Sequence, residues 1–309
     1  PRVTTNTLLA IVVGAMLAVG IIFLIEYMDD TVKTPDDVTN ETGLSTLGAI
    51  AKFKHDDDDM AKRLITKTSP RDPISEAYRA LRTNLGFSAI DDTLNSLLVT
   101  SSTPSEGKST TVANIAIVMA QTGKRVNLVD SDLRRPVQHK IFELPNSRGL
   151  TTANLDTETN IKKHISTSSV DNLYIMTSGP IPPNPSELLN SQRMAQVLDM
   201  LREISDFVIF DTPPVLTVTD STILAPKVGG TLLVIDTGNT RRSTLTQAYE
   251  LLSNSNGHIY GVVLNRLNSS RRGYYNYYYY SNQYKYEDDN RKKRLKGSRK
   301  SRLPKWMQR

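Results

Sequence analysis

The sequence predicts an α/β fold, a mostly parallel sheet with helices on both faces, preceded by one membrane-spanning helix. Three observations predict it. Short apolar runs recur at 97–101, 125–130, 173–177, 206–211, 231–236 and 259–265, with helical patterns between them. That alternation belongs to a parallel sheet covered on both sides. Several runs end in a carboxylate (Asp130, Asp211, Asp236), and strand ends are where such sheets bind ligands. Near the start, Leu8–Ile25 is an unbroken apolar stretch.

That stretch reads as a transmembrane helix. At about 1.5 Å per residue it reaches roughly 27 Å, enough for a hydrocarbon core of about 30 Å with help from Val3–Thr7. Glu26-Tyr-Met-Asp-Asp30 follows in place of the small-residue cleavage site of a signal peptide. Its acidic C-terminal flank, with Arg2 before it, does not favour C-terminus-in. A nucleotide site downstream would, because nucleotide and Mg²⁺ are cytosolic. The chain begins at Pro1, as expected of the C-terminal part of a longer protein.

Composition bounds the chemistry. The chain has 309 residues, room for one sizeable domain with appendages. It contains no cysteine, which excludes disulfides, thiolate catalysis and cysteine-ligated zinc. With four scattered histidines, a histidine metal site is not expected. The net charge of +6 is segregated, acidic before Met60 and basic after Asn290, so nucleic acid is not the expected partner. The expected organisation is a membrane helix and flanks (1–28), a juxtamembrane linker (29–70) with one candidate strand at the apolar patch Leu44–Ile50, a catalytic domain (71–268) and a tail (269–309). The run Asp56–Asp59 in the linker reads as solvated charge.

From Pro73 a helical pattern begins, with Ser75 as a candidate cap. Glu76, Arg79 and Arg82 fall near one face, and Ile74, Ala77, Tyr78, Leu81 and Leu85 near the other. Leu97 to Thr110 reads as a buried strand, a turn and a helix start, which makes Pro104-Ser-Glu-Gly-Lys-Ser-Thr110 a phosphate-binding loop. Backbone N–H groups and the helix dipole form an anion cradle, Lys108 adds a point charge, and Ser109 a hydroxyl for Mg²⁺. The loop departs from G-x-x-x-x-G-K-[ST], with Ser102 at the first glycine position.

One helix later, Asp130 and Asp132 with Arg134 and Arg135 follow a strand end. The rigid loop Ser178–Glu187 feeds a helix over Leu188–Arg202, and Asp206–Asp211 delivers Asp211 as a Mg²⁺-holding carboxylate. A further helix is expected around Ser243–Leu252. Asn265, at the last strand end, suits either an adenine contact or a turn. Beyond Ser269, Tyr274, Tyr275, Tyr277, Tyr278, Tyr279, Tyr280, Tyr284 and Tyr286 hold most of the chain's 13 tyrosines, and a basic run follows from Arg291. Such a tract cannot build a core and reads as an arm with affinity for phosphate-rich partners or an anionic membrane surface.

The helix motif Glu76-x-x-Arg79-x-x-Arg82, the loop 104–110, Val129–Arg134, Ser178–Leu189, Asp211-Thr-Pro-Pro214 and the terminal tyrosines together resemble the bacterial protein-tyrosine kinases tied to capsular and exopolysaccharide export. The resemblance spans essentially the whole chain, and the N-terminal span is similar to the last membrane helix of a polysaccharide co-polymerase. It implies a P-loop NTPase fold of the MinD/ParA-like kind and transfer of the ATP γ-phosphoryl group to tyrosine hydroxyls. Lys108 would serve the β/γ-phosphates, with Arg134 supporting aspartates or phosphates. Ser109, Asp130 and Asp211 would organise Mg²⁺, and Asp130 or Asp132 would orient the phenol, Asp130 being the expected base-like group. Glu76, Arg79 and Arg82 would form subunit contacts of a homo-oligomeric ring, in which the tyrosine arm is phosphorylated in trans.

A plasma membrane location, the polysaccharide polymerase and export machinery, a cognate tyrosine phosphatase and other protein substrates follow from the same resemblance. Ser105 departs from the family's usual glycine. The competing class is a ParA/MinD-like switch ATPase. Those proteins typically carry a second lysine five residues before the loop lysine, where Thr103 stands here. A nucleotide-sensing scaffold with adhesive tyrosines is a third class.

Overall fold

In a computed structural model, residues 3–52, 60–89, 94–156 and 160–268 are described. The first described element is α1 (Val3–Tyr27), none of which is buried and whose most apolar 18-residue stretch has a mean hydropathy of 3.1, apolar and long enough to cross a bilayer. It contains the predicted span and extends it at both ends.

The described residues of the stretch expected as a linker, 29–52 and 60–70, are part of the folded body. Thr34 caps α2 (Pro35–Thr42): its hydroxyl accepts from the Asp37 N–H while the Asp37 carboxylate accepts from the Thr34 N–H, a reciprocal capping box. Then β1 (Thr46–Ala51) pairs parallel to the last strand. Val32, Val38, Leu47, Ile50 and Leu64 are buried, so few but well-placed apolar residues anchor a mostly polar segment. The junction with α1 is bonded throughout. Lys33 pairs with Glu26 and Asp29 at 3.0 and 2.6 Å, and the Arg242 N–H donates to the Asp30 carbonyl. Thr31 bridges Arg241.

A short turn, α3 (Ile65–Thr68), leads to α4 (Pro73–Ser88). Its cap is Asp72, accepting from the Ile74 N–H at 2.8 Å, and not Ser75, which is buried and donates to the Ser69 carbonyl. Pro73 at the first helical position fixes this register. α4 covers β1, where a side chain at Gly48 would come within 3.0 Å of Leu81.

The centre follows the expected alternation: β2 (Ser96–Ser101), α5 (Lys108–Ala120), β3 (Val126–Asp130), α6 (Gln138–Ile141), α7 (Leu150–Leu155), β4 (Ser166–Thr167) and β5 (Leu173–Met176). The single helix expected over 188–202 is two, α8 (Pro185–Asn190) and α9 (Gln192–Ile204). Ser191 between them is extended, and its hydroxyl caps α9 at the Met194 N–H. β6 (Phe207–Asp211), α10 (Asp220–Leu224), β7 (Thr231–Asp236), α11 (Arg242–Asn254) and β8 (Ile259–Leu267) complete the chain.

The eight-stranded sheet runs β1-β8-β7-β2-β6-β3-β5-β4, parallel except for β4 on β5. β2, β3, β6 and β7 are buried along their whole length, which is why they read as continuous apolar runs. Leu98, Val129, Phe210, Met194, Val197 and Leu201 join one face of the sheet to α9. The carboxyl ends of the central strands therefore open on one edge, where the phosphate loop lies.

Candidate active site

The loop that leaves β2 is shaped by two left-handed residues, Ser105 (φ 67°) and Gly107 (φ 87°). Gly107 has a second constraint, because a Cβ there would lie 2.1 Å from Asn265 Nδ2. Ser105 occupies the position where a glycine is usual in the resembled family, and it takes the glycine-favoring conformation regardless. The missing first glycine is compensated chemically. Ser102 is fully buried, and its hydroxyl lies 2.9 Å from each oxygen of the Glu106 carboxylate. α5 begins at Lys108 with no side-chain cap, so its first-turn N–H groups and dipole are left for an anion.

Lys108 is 7% exposed and surrounded by acid. Its ammonium donates to Asp211 Oδ1 at 2.5 Å and to Ser109 Oγ at 3.2 Å, and lies 3.6 Å from Asp132 Oδ2. Burial draws its pKa down, but the carboxylates of Asp211, Asp132 and Asp130 outweigh that and hold it above the ordinary value. Asp130 and Asp211 stand directly opposite each other at the tips of β3 and β6. Burial, and then the Asp211 charge, push the Asp130 carboxyl well above the usual range.

Asp130 is fully buried, and backbone groups of its own following loop occupy both oxygens. Oδ1 accepts from the Asp132 N–H, and Oδ2 from the N–H groups of Val137 and Gln138 at 3.1 and 2.9 Å. The residue expected in the base-like role thus shapes the segment that presents Asp132, which keeps the more open carboxylate of the two.

Gln138 escaped the sequence reading. Its amide donates to Asp211 Oδ2 at 2.7 Å and to the Ser109 carbonyl at 3.0 Å, tying the strand-tip carboxylate to α5. No local pattern marks it. Thr240, after β7, donates to Glu106 Oε1 across 134 positions of sequence, which no local pattern could reveal either.

Other expected residues fall elsewhere. Arg134 makes a two-pronged pair with Asp220, at 2.9 and 3.1 Å, and donates to Ser186; aspartates 130, 132 and 211 are not its hydrogen-bond partners. Asn265 donates to the Glu106 carbonyl at 2.8 Å and walls Gly107, so it braces the phosphate loop. Pro104 and Ser105 are exposed at the loop's tip, and the Thr110 carbonyl accepts from Asn114. Glu76 and Arg79 pair with each other on α4, Arg79 also reaches the Pro70 carbonyl, and Arg82 donates to the Val118 carbonyl near the far end of α5. That end lies ten residues from Lys108, about 15 Å along the helix, so the motif is not part of the site. The eight tail tyrosines, Tyr274 to Tyr286, lie outside the described residues.

The donor set fits Mg²⁺ and a phosphate chain. Asp130, Asp132 and Asp211 confront one ammonium, a surplus of negative charge that the raised Asp130 pKa registers and that a hard cation would relieve. Among the described residues no group of three His, Cys, Asp or Glu side chains forms a cage. Mg²⁺ sites are commonly built from one or two carboxylates plus substrate phosphates.

The residues 105–254 match the family model described as an AAA domain. The chain is 41% identical over 219 residues to the tyrosine-protein kinase YwqD of Bacillus subtilis, covering 70% of this chain and 92% of that one. It is 30% identical over 284 residues to the tyrosine-protein kinase etk of Escherichia coli, covering 86% of this chain but 39% of the longer protein. Among solved structures, the chimerical protein CapA2B2 matches with a TM-score of 0.70 at 40% identity, over 76% of this chain and all of that one. The kinase domain of Escherichia coli ETK matches with the same score at 31% identity, over 76% and 94%. With nearly the whole of a named kinase matched in sequence and a kinase domain matched in fold, the chain belongs to the family of bacterial tyrosine-protein kinases.

Proposed function

We propose that this protein is an ATP-dependent protein-tyrosine kinase whose own C-terminal tyrosines are among its substrates. The observation that carries the reading is the meeting of Lys108, Asp132 and Asp211 beneath the phosphate loop. The loop's N–H groups and α5 hold the β- and γ-phosphates of ATP, and Lys108 exchanges Asp211 for phosphate oxygens as its partner. Ser109 and Asp211 would hold Mg²⁺, with Gln138 fixing Asp211, and the ion would supply charge neutralisation for the transferring phosphoryl group. Asp132 accepts the hydrogen bond of the incoming phenol and orients it. A phenol with a pKa of about 10 is a poor nucleophile, but loose phosphoryl transfer asks chiefly for alignment and charge stabilisation. The γ-phosphorus–oxygen bond to ADP breaks as the bond to the tyrosine oxygen forms, and the phenolic proton leaves toward Asp132.

Within this reading α1 anchors the kinase in the plasma membrane with the body in the cytoplasm. The α4 residues Glu76, Arg79 and Arg82 contact neighbouring copies, and the tyrosine arm is phosphorylated in trans. The relatives include a putative tyrosine-protein kinase in the cps region of Klebsiella pneumoniae. That supports association with the polysaccharide polymerisation and export machinery; a cognate tyrosine phosphatase as the opposing partner follows from the family resemblance alone.

The test is incubation of the full chain in detergent with ATP and Mg²⁺, followed by mass-spectrometric mapping beside a Lys108→Met control. Phosphotyrosine within 274–286 that vanishes in the control is expected. Released phosphate with unmodified tyrosines would point to a switch ATPase and overturn the kinase reading.

A further inference from the structure

The phosphate loop carries a buried acid that phosphoryl transfer, as derived above, does not use. Glu106 is 3% exposed. Every hydrogen bond to its carboxylate comes from a donor: the Ser102 hydroxyl at 2.9 Å to both oxygens, the Thr103 N–H at 2.9 Å, and the Thr240 hydroxyl at 2.5 Å. Its backbone carbonyl accepts from Asn265 at 2.8 Å. One loop residue is thus gripped through its side chain by the segment after β7 and through its main chain by the end of β8. Thr240 is itself fixed, since its hydroxyl accepts from the Asp236 N–H at 3.1 Å.

The grip answers a steric problem. Left-handed backbone is unfavourable for a non-glycine residue, and Ser105 adopts it next to Glu106. A loop under such strain relaxes unless its surroundings over-determine it. The fold that closes 102–106 on itself through the Glu106 carboxylate, with Thr240 and Asn265 as outside anchors, supplies that determination. Electrostatics alone would forbid the arrangement, because a carboxylate inside an anion cradle repels phosphate. Its presence there is explained by geometry, provided hydroxyl and amide donors absorb the charge.

We propose that Glu106 is a positioning residue for nucleotide: its carboxylate, held by Ser102, Thr103 and Thr240, sets the loop in the phosphate-binding shape before ATP arrives. This rests on the phosphate-loop reading above. It assigns the segment after β7 a part in nucleotide affinity although Thr240 contacts only the loop.

The experiment measures Mg-ADP affinity by calorimetry for the full chain and for Glu106→Ala, Thr240→Val, the double variant and Glu106→Gln, with thermal unfolding of each. Charge-assisted hydrogen bonds of this kind predict affinity falling about 10- to 100-fold in Glu106→Ala and about 10-fold in Thr240→Val. The double variant should bind no worse than Glu106→Ala alone, because both changes break one network. Glu106→Gln keeps an acceptor for the Thr103 N–H but turns an NH2 toward the Thr240 hydroxyl, so it should fall about 10-fold, like Thr240→Val and less than Glu106→Ala. Unchanged affinity in Glu106→Ala and Thr240→Val, with lowered thermal stability only, would overturn the proposal while leaving the kinase reading intact. A parent that does not bind Mg-ADP would overturn both.

Discussion

Two buried acidic regions flank the phosphate loop, and they are neutralised in different ways. At the strand tips, Asp130, Asp132 and Asp211 depend on the ammonium of Lys108, and the balance falls short: burial and mutual repulsion leave Asp130 with a raised pKa. Under the loop, Glu106 depends on hydroxyl and amide donors that belong to the fold. A mobile cation can change partners when a ligand arrives, whereas donors fixed in the backbone and on neighbouring strands cannot. Burial raises the Glu106 carboxyl above its ordinary range as well, its donors offsetting only part of that, so the two regions differ in the kind of partner: the first is built to change partners with its ligand, and the second keeps partners supplied by the fold.

The sharpest way to break this comparison is to remove the exchangeable partner. Lys108→Met leaves Asp211 buried without its cation, and breaking such a pair typically costs about 3–5 kcal/mol. Urea unfolding of the nucleotide-free chain should register a loss of that size together with loss of phosphotransfer. Stability equal to the parent would mean that the strand tips do not depend on the lysine.

The next effect is in pH. The folded-state pKa of Asp130 lies above its unfolded value, so its contribution to stability is fully present below about pH 4 and is lost as pH rises through the folded value. Asp130→Asn does not ionise, so its stability relative to the parent should grow between pH 4 and pH 8 without nucleotide. A difference that stays flat across that range would remove the charge surplus from the explanation.

The smallest effect concerns the completed region. Ser105→Gly should relieve the left-handed strain, offset in part by the entropy of a freer unfolded chain, for a net gain of up to about 1 kcal/mol. A loss of stability would mean that the serine makes a contribution the backbone geometry does not account for.

The same contrast explains what was legible in the sequence. Strands β2, β3, β5, β6, β7 and β8 are visible because burial leaves near-continuous apolar runs, and terminal aspartates mark the tips of β3, β6 and β7. Lys108, Asp132 and Asp211 were readable because the chemistry of a phosphate site demands those residue types at those places. The bracing residues were not. Gln138 and Thr240 are ordinary polar residues whose partners stand far along the chain, and Asn265 was seen at a strand end without its work in holding Glu106 being apparent. The edge strand β1 falls on the apolar patch that marks one candidate strand in the expected linker, whereas helix α2 has no such signal because its stretch is mostly polar and its buried residues, such as Val38 and Thr42, are few.

The bonded junction between α1 and the body has a mechanical consequence. A free chain of n residues lets its ends wander by about 5–6 Å times the square root of n. Here the Met28 N–H donates to the Leu24 carbonyl, the Asp29 N–H donates to the Glu26 carbonyl while its carboxylate accepts from the Thr31 N–H, and the Asp30 carbonyl accepts from the Arg242 N–H. Val32 then donates to the carbonyl of Thr240 itself. The helix is therefore joined to the body by a stiff shaft in place of a leash. Turning α1 about its axis would exert torque on the segment that grips the phosphate loop; in the membrane-anchored assembly proposed above, the packing of neighbouring helices would then dictate which way each body faces.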